Sequence, residues 1–242
     1  MAGLMVMSPL FGSAKIPKRV KVMFAATAAL GAMSAITEPI VFPETLGALT
    51  LGIAGEIAFG AAMGMIVSFT FVAAQWAGEM IGQQIGFNLS EVFDPQFGQA
   101  GTLVGDMYFM LTLVIFLIIG GHIAMIKAVN ESFVTAPLLS LTMDRPLFDT
   151  ILDMFTSSTM LAMRLAAPMF FTMLVVDLAM GAISRAMPQF NIMTTGLSLR
   201  AVVGIVVMMV GITLTSDTLS ASLIDSVGEV VGRWSGGNRA HG

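Results

Sequence analysis

Three ionisable side chains that could do chemistry lie inside strongly apolar stretches of the sequence: Glu56, Arg164 and Asp177. An unpaired charge is expensive at membrane depth, so each of them needs a partner or a function. Arg164 and Asp177 are 13 residues apart, which is about 20 Å along a helix, so they cannot pair with each other. Pairing with another helix or subunit is favoured over proton or ion transport, but both interpretations remain open.

No group of side chains in the sequence matches a catalytic or metal-binding pattern. His122 is one of two histidines, cysteine is absent, and the carboxylates Asp106 and Glu131 stand alone. The zinc-protease, serine-hydrolase, phosphate-loop and dinucleotide motifs are missing. A lone histidine that follows Gly120 and Gly121 is typical of a hydrogen-bonded packing residue. We therefore expect no enzyme, no metal and no cofactor.

The composition is that of a membrane protein. Of 242 residues, 56% are hydrophobic and 11% are charged, whereas about 25% are charged in soluble domains. The mean hydropathy is +0.89. A net charge of -4 without a long basic run argues against nucleic acid as a partner. The 22 methionines and 25 glycines favour many close helix contacts.

Several apolar stretches predict the helices that carry these residues. A simple span needs about 20 apolar residues, and the first stretch is too short, so we expect it to be part of an opening helix that is incomplete here. Residues 217–235 follow the helical period with one apolar stripe, which predicts an amphipathic C-terminal helix. No linker divides the chain, so residues 1–242 are treated as one domain. The predicted stretches are residues 4–11, 20–36, 46–74, 103–126, 160–183 and 201–214.

Residues 87–101, the 87–101 loop, separate two of these stretches. The loop is too polar and too rich in Gly and Pro to be helical, yet it contains three phenylalanines. Irregular backbone at membrane depth is tolerated only where protein surrounds it or where it lines a watery passage. The loop is therefore a candidate pore element. The residues predicted to form this pore element are Phe87, Phe93, Asp94, Pro95, Phe97, Gly98 and Gly101.

The approach to the loop carries two neighbouring helical stripes, one of glycine and one of polar residues. They are Gly78, Gly82 and Gly86, and Gln75, Glu79 and Gln83. Glycines four residues apart let another backbone come very close. Helix packing with a satisfied polar seam is the favoured interpretation, and a polar seam that faces a conduit is the alternative. Gly60 and Gly64 repeat the spacing, and there packing is favoured more strongly.

Five stretches occur in a specific order along the chain. They are Glu56 with Gly60 and Gly64, Gly78-Glu79-Met80-Ile81-Gly82-Gln83-Gln84-Ile85-Gly86-Phe87, Asp94-Pro95, Phe116 with Gly120-Gly121-His122, and Ser184-Arg185-Ala186-Met187-Pro188-Gln189-Phe190-Asn191-Ile192. Together they resemble the FliR family of flagellar biosynthesis proteins and its injectisome counterpart, the SctT family. The resemblance covers nearly the whole chain. One departure is that Ser198 and Leu199 precede Arg200, where the family commonly has a proline.

This resemblance implies an all-α fold of apolar helical hairpins that assemble with homologous subunits into a helical tube. It implies a component of the flagellar type III export gate, built with FliP-like and FliQ-like subunits and accompanied by a FlhB-like subunit. The expected location is the bacterial inner membrane, in contact with its lipids and within the flagellar basal body. Unfolded flagellar subunits would pass through the tube, and the 87–101 loop would plug it at rest.

The loop chemistry agrees with that role, since phenylalanines can fill a narrow lumen and glycines let the backbone swing aside. Two alternatives remain: a small secondary transporter that uses Glu56, Arg164 and Asp177, and a structural scaffold. The residues predicted to serve helix packing and assembly are Glu56, Gly60, Gly64, Gly78, Glu79, Gly82, Gln83, Gly86, His122, Arg164, Asp177, Arg185, Pro188, Gln189 and Asn191.

Overall fold

The computed structural model of the chain describes residues 2–9, 12, 17–33, 45–87, 103–135, 145–187 and 192–235, and their secondary structure is entirely helical. This confirms the predicted all-α class for those residues, while assembly into a tube stays a prediction. The helices are α1 (Ala2–Met7), α2 (Lys18–Met33), α3 (Leu46–Ile85), α4 (Leu103–Ile118), α5 (Gly121–Thr135), α6 (Arg145–Ala186) and α7 (Ile192–Ser235).

Three of the helices are much longer than the apolar stretches that predict them. α3, α6 and α7 contain 40, 42 and 44 residues, so each is about 60 Å or more in length. Polar residues continue a helix without adding hydropathy, which is why the apolar stretches stop short. In α7 no proline follows residue 214, and the apolar stretch 201–214 and the amphipathic segment 217–235 form one continuous helix.

The apolar stretch 103–126 is divided by a glycine. α4 ends at Ile118 and α5 begins at Gly121, because Gly120 between them adopts a left-handed conformation with φ 72°. Glycine enters this region without the steric cost that a Cβ would add. Gly121 is also restricted, since a Cβ there would lie 2.3 Å from the ring of Phe116.

Three helices in the described residues are long and apolar enough to cross a membrane: Leu46–Ile85, Leu147–Ala186 and Thr195–Thr213. The number is four if α4 and α5 are counted as one broken span. A bilayer's hydrocarbon core is about 30 Å thick, so each long helix extends well beyond what a single crossing requires.

The chain divides into two compact units. The first unit comprises Met1–Phe71, Phe116–Ser157 and Ser222–Gly242. Within it, the rings of Phe71 and Phe116 pack edge to face at 5.5 Å, and the buried hydroxyls of Thr70 and Ser226 share a 2.6 Å hydrogen bond. That bond satisfies two polar groups that would otherwise be costly to bury.

The second unit comprises Val72–Ile115 and Ser158–Ala221. Residues of α3, α4 and α6 form its buried core, and residues of α7 pack against that core. The core residues are Ile81, Ile85, Val104, Tyr108, Ala166, Met169 and Met173. This unit contains the helix ends between which the 87–101 loop lies, so its packing determines how the loop is held.

Candidate functional site

The 87–101 loop begins at a glycine cap that ends α3. Gly86 has a φ of 93°, and its N–H donates to the carbonyl of Gln83 at 3.1 Å while the N–H of Phe87 donates to the carbonyl of Gly82 at 3.1 Å. This pair of bonds is a Schellman motif, which satisfies carbonyls that a helix end leaves open. The chain therefore leaves the helix in one defined direction.

Phe87 anchors the start of the loop in the core of the second unit. Its side chain is partly buried and packs against the cluster that contains Ile81, Ile85 and Met173. A hydrophobic contact by the residue after the capping glycine commonly accompanies this motif. Phe93, Asp94, Pro95, Phe97, Gly98 and Gly101 lie outside the described residues, so their predicted role in the loop stays a prediction.

The two helices on either side of the loop touch backbone to backbone. A Cβ on Gly78 would lie 2.6 Å from the carbonyl oxygen of Val104 and 2.8 Å from the Cα of Gly105. Only glycine at position 78 permits this approach of α3 and α4. Gly105 is its counterpart on α4. The sequence gives no signal for Gly105, because a single glycine without a repeating spacing forms no stripe.

The polar stripe beside these glycines has two environments. A Cβ on Gly105 would lie 2.9 Å from Cγ of Glu79 and 3.4 Å from Cγ of Gln75, so the aliphatic parts of both side chains pack at the α3–α4 crossing. Gln83 lies one turn after Glu79 and two turns after Gln75, and its side chain is exposed. The neighbouring Gly82 is buried. Helix packing therefore accounts for the first part of the stripe, whereas the end nearest the loop presents a polar side chain to its surroundings.

α1 packs against α3 at the earlier pair of glycines, Gly60 and Gly64. A Cβ on Gly60 would lie 3.2 Å from the backbone nitrogen of Leu4, and one on Gly64 would lie 3.1 Å from the carbonyl oxygen of Leu4. Leu4 is fully buried. Glu56 lies one turn before Gly60 and is half-buried.

Asp177 has an ion-pair partner in the same unit. Nε of Arg200 on α7 donates to Oδ1 of Asp177 on α6 at 3.0 Å, and Nη2 donates to the same oxygen. No sequence pattern predicts this partner, although Arg200 is the basic residue closest to the apolar stretch 201–214. This contact is a pairing with another helix, the interpretation favoured for Asp177 from the sequence.

The other predicted packing residues differ in their surroundings. Arg164 is exposed and has no ion pair among the residues that the structure describes. Arg185 is exposed in the last turn of α6, where a cation interacts favourably with the helix dipole. His122 is half-buried, and the hydrogen bond expected for it is not found at Nδ1 within the described part of the chain. Pro188, Gln189 and Asn191 lie outside the described residues.

Titratable side chains do not converge on a metal site in the part of the chain that the structure covers, where no group of three or more His, Asp or Glu residues is suitably placed. What the geometry does provide is a fixed base for a polar, phenylalanine-bearing loop. A Schellman cap and Phe87 hold its beginning, and the Gly78–Gly105 contact holds the helix that follows it.

Comparison with known proteins gives a consistent match along the chain. Residues 1–225 match the model of a family described as bacterial export proteins, family 1. The flagellar biosynthetic protein FliR of Aquifex aeolicus is 28% identical over 212 residues, which cover 88% of this chain and 82% of that protein. FliR of Bacillus subtilis is 28% identical over 208 residues, covering 84% and 79%. The surface presentation of antigens protein SpaR of Shigella flexneri is 26% identical over 155 residues, covering 64% and 60%.

Proposed function

Since this chain belongs to the bacterial export proteins of family 1, the FliR and SpaR family, we propose that its 87–101 loop closes a protein-conducting export gate. The chain is a non-enzymatic component of flagellar or type III export. We further assign it to the bacterial inner membrane, within the flagellar basal body, where unfolded flagellar subunits are the cargo. FliP-like and FliQ-like subunits complete the channel, and a FlhB-like subunit adjoins it.

The observation that carries the proposal is the fixed base of the loop. A stopper must be held at both ends, because it has to obstruct the lumen at rest and return to the same place after cargo has passed. Gly86 directs the chain out of α3, Phe87 packs on the core, and Gly78 places α4 directly against α3. Between these anchors, Phe93 and Phe97 supply apolar rings that can fill a narrow lumen and exclude water.

The burial of the three candidate spans supports assembly with other subunits. In the single chain the most apolar part of α3 is 61% buried, whereas the corresponding values are 28% for α6 and 6% for the Thr195–Thr213 segment of α7. Large side chains such as Phe171, Leu178 and Met209 are exposed. Apolar faces of this extent mark contacts with other subunits or with lipid.

Ion conductance of the assembled complex tests the proposal. Deletion of residues 90–98 removes Phe93 and Phe97 and should raise the ion leak of the reconstituted gate complex, because water and ions then enter the lumen. The double substitution Phe93→Ala and Phe97→Ala keeps the loop length and should raise the leak to a smaller extent. Wild-type conductance for both variants, in complexes of unchanged subunit composition, would contradict the proposal and favour a scaffold.

A further inference from the structure

A pocket of about 280 Å³ opens at the surface of the second unit. Its floor is buried and its rim is exposed. The floor includes Ile81, Tyr108, Leu165, Met169 and Thr215, and the rim includes Arg164, Pro168, Val206, Val210 and Thr218. The lining is therefore mostly apolar, with one cation and three hydroxyl groups.

Arg164 brings to this rim a positive charge that has no ion-pair partner among the residues that the structure describes. Asp177 lies 13 residues further along the same helix, about 20 Å away by the helical rise, and is already paired with Arg200. Burial of Arg164 against another surface would require an anion, since an unpaired guanidinium at an apolar surface is costly. The planar guanidinium favours oxyanions such as phosphate, which it can bind through two N–H groups at once.

The position of the pocket along the helices indicates which anion is available. α6 and α7 run antiparallel, since Asp177 pairs with Arg200, a Cβ on Gly204 would lie 2.9 Å from Met173, and Arg164 shares the pocket with Thr215. Arg164 lies near one end of the apolar stretch 160–183, and Thr215 follows the end of the Thr195–Thr213 span. The apolar stretch 160–183 and the Thr195–Thr213 span thus both end close to the pocket, although α6 itself continues as a helix back to Arg145.

At the end of a membrane-crossing segment the surrounding anions are lipid phosphates, and basic pockets between helices bind anionic headgroups there. The hydroxyls add polarity at the same level, since Tyr108 and Thr215 share a hydrogen bond on the pocket floor. Pro168, Val206 and Val210 continue the lining as an apolar wall on the side of the two spans. A carboxylate from a partner helix would neutralise the charge of Arg164, but it would not cover the apolar wall beside it. A phospholipid has both a phosphate for the guanidinium and an acyl chain for the wall.

We propose that this pocket binds an anionic phospholipid. The guanidinium of Arg164 binds the phosphate, and the first part of one acyl chain lies against Pro168, Val206 and Val210. The pocket volume is just below the range of about 300 to 1,000 Å³ typical of sites that enclose a whole small molecule. It therefore holds the headgroup side of the lipid, and the rest of the chain extends along the exposed apolar surface of α6 and α7.

Mass spectrometry of the lipids that remain with the purified, assembled complex tests the charge contact. Arg164→Gln should lower retained phosphatidylglycerol by about fivefold, the effect of roughly one basic contact with an anionic headgroup. Lys127→Gln removes an exposed positive charge from α5 and should leave retention unchanged. Equal retention in the wild type and in Arg164→Gln would overturn the proposal.

A second pair of substitutions tests the apolar wall while Arg164 stays in place, which keeps the test available if Arg164→Gln fails to assemble. Val210→Trp should fill the recess and lower phosphatidylglycerol retention severalfold. Val202→Trp is the matched control, since Val202 is similarly exposed on α7 but lies outside the pocket lining, and it should retain lipid normally. Equal lipid loss in both variants, or in neither, would contradict the assignment.

Adding single components back to the delipidated complex identifies the source of the anion. Phosphatidylglycerol should raise the thermal stability of the wild type, whereas phosphatidylcholine and inorganic phosphate should not. Equal stabilisation by inorganic phosphate would overturn the lipid assignment, as would a map in which a partner's carboxylate occupies Arg164. These results do not depend on the ion leak of loop variants, so the two proposals fail independently.

Discussion

At the scale of single residues, the absence of a side chain at Gly78 is what brings α3 and α4 together. The carbonyl of Val104 and the Cα of Gly105 occupy the space in which a Cβ would lie. Both are backbone atoms, so they cannot move aside as the end of a flexible side chain could. The close distance between α3 and α4 at this point therefore depends on the side chain at position 78 being only a hydrogen atom.

Gly78→Ala should lower the amount of assembled complex and the secretion of export substrates. An added methyl in a packed contact typically costs about 1 to 3 kcal/mol. The change is checked by immunoblotting of the chain in membranes and by measuring secreted substrate. Gly47→Ala lies on the same helix with no atom within 4 Å of its Cβ, and it should be neutral because alanine favours helix. Wild-type assembly and secretion in Gly78→Ala would contradict the role of this contact.

At the scale of helices, the sequence predicts where apolar elements lie much better than how they are joined. Hydropathy locates α3, α4 and α6, and the glycine spacing indicates where α3 is approached closely. Neither hydropathy nor glycine spacing predicts that α7 runs from Ile192 to Ser235 without a break. A run of small polar residues is compatible with either a helix or a turn. The pairing of Asp177 with Arg200 and the contact at Gly105 arise from tertiary packing, which no local pattern encodes.

The ion pair between α6 and α7 gives the prediction at this scale. Asp177→Asn should leave the charge of Arg200 uncompensated between apolar helices, which should lower the level of the chain in membranes. Arg200→Gln should likewise leave the charge of Asp177 uncompensated and lower the level of the chain. The double variant leaves no unpaired charge, so its level should exceed that of either single variant. Immunoblotting of membrane fractions measures all three. A double variant whose loss equals the sum of the single losses would show that the two residues do not interact.

At the scale of the whole molecule, many large apolar side chains of α6 and α7 are exposed in the part of the chain that the structure describes, and apolar patches of this kind mark contacts with other subunits or with lipid. The weak burial of the spans in α6 and α7 indicates surfaces that other subunits or lipids cover. A secondary transporter would cover them with lipid or with copies of itself, because transporters work alone or as homo-oligomers. A gate subunit would need chains of different sequence.

Purification of the chain from its native membranes distinguishes these assemblies. We expect two other proteins, FliP-like and FliQ-like, to co-migrate with it in constant ratio, and the chain to be degraded when either of their genes is deleted. Mass spectrometry of the purified complex gives the composition. A stable particle that contains this chain alone would contradict the gate assignment and favour the transporter.

The central claim, that the 87–101 loop lies across the path of the exported polypeptide, is tested most directly by crosslinking to cargo in transit. The chain contains no cysteine, so Phe97→Cys introduces a single thiol into this subunit. In complexes stalled with an export substrate that carries one cysteine, mild oxidation should join position 97 to the substrate. Phe171→Cys, on the exposed face of α6, should form no such bond. Crosslinks from position 97 only to peripheral subunits, and none to the substrate, would contradict the claim.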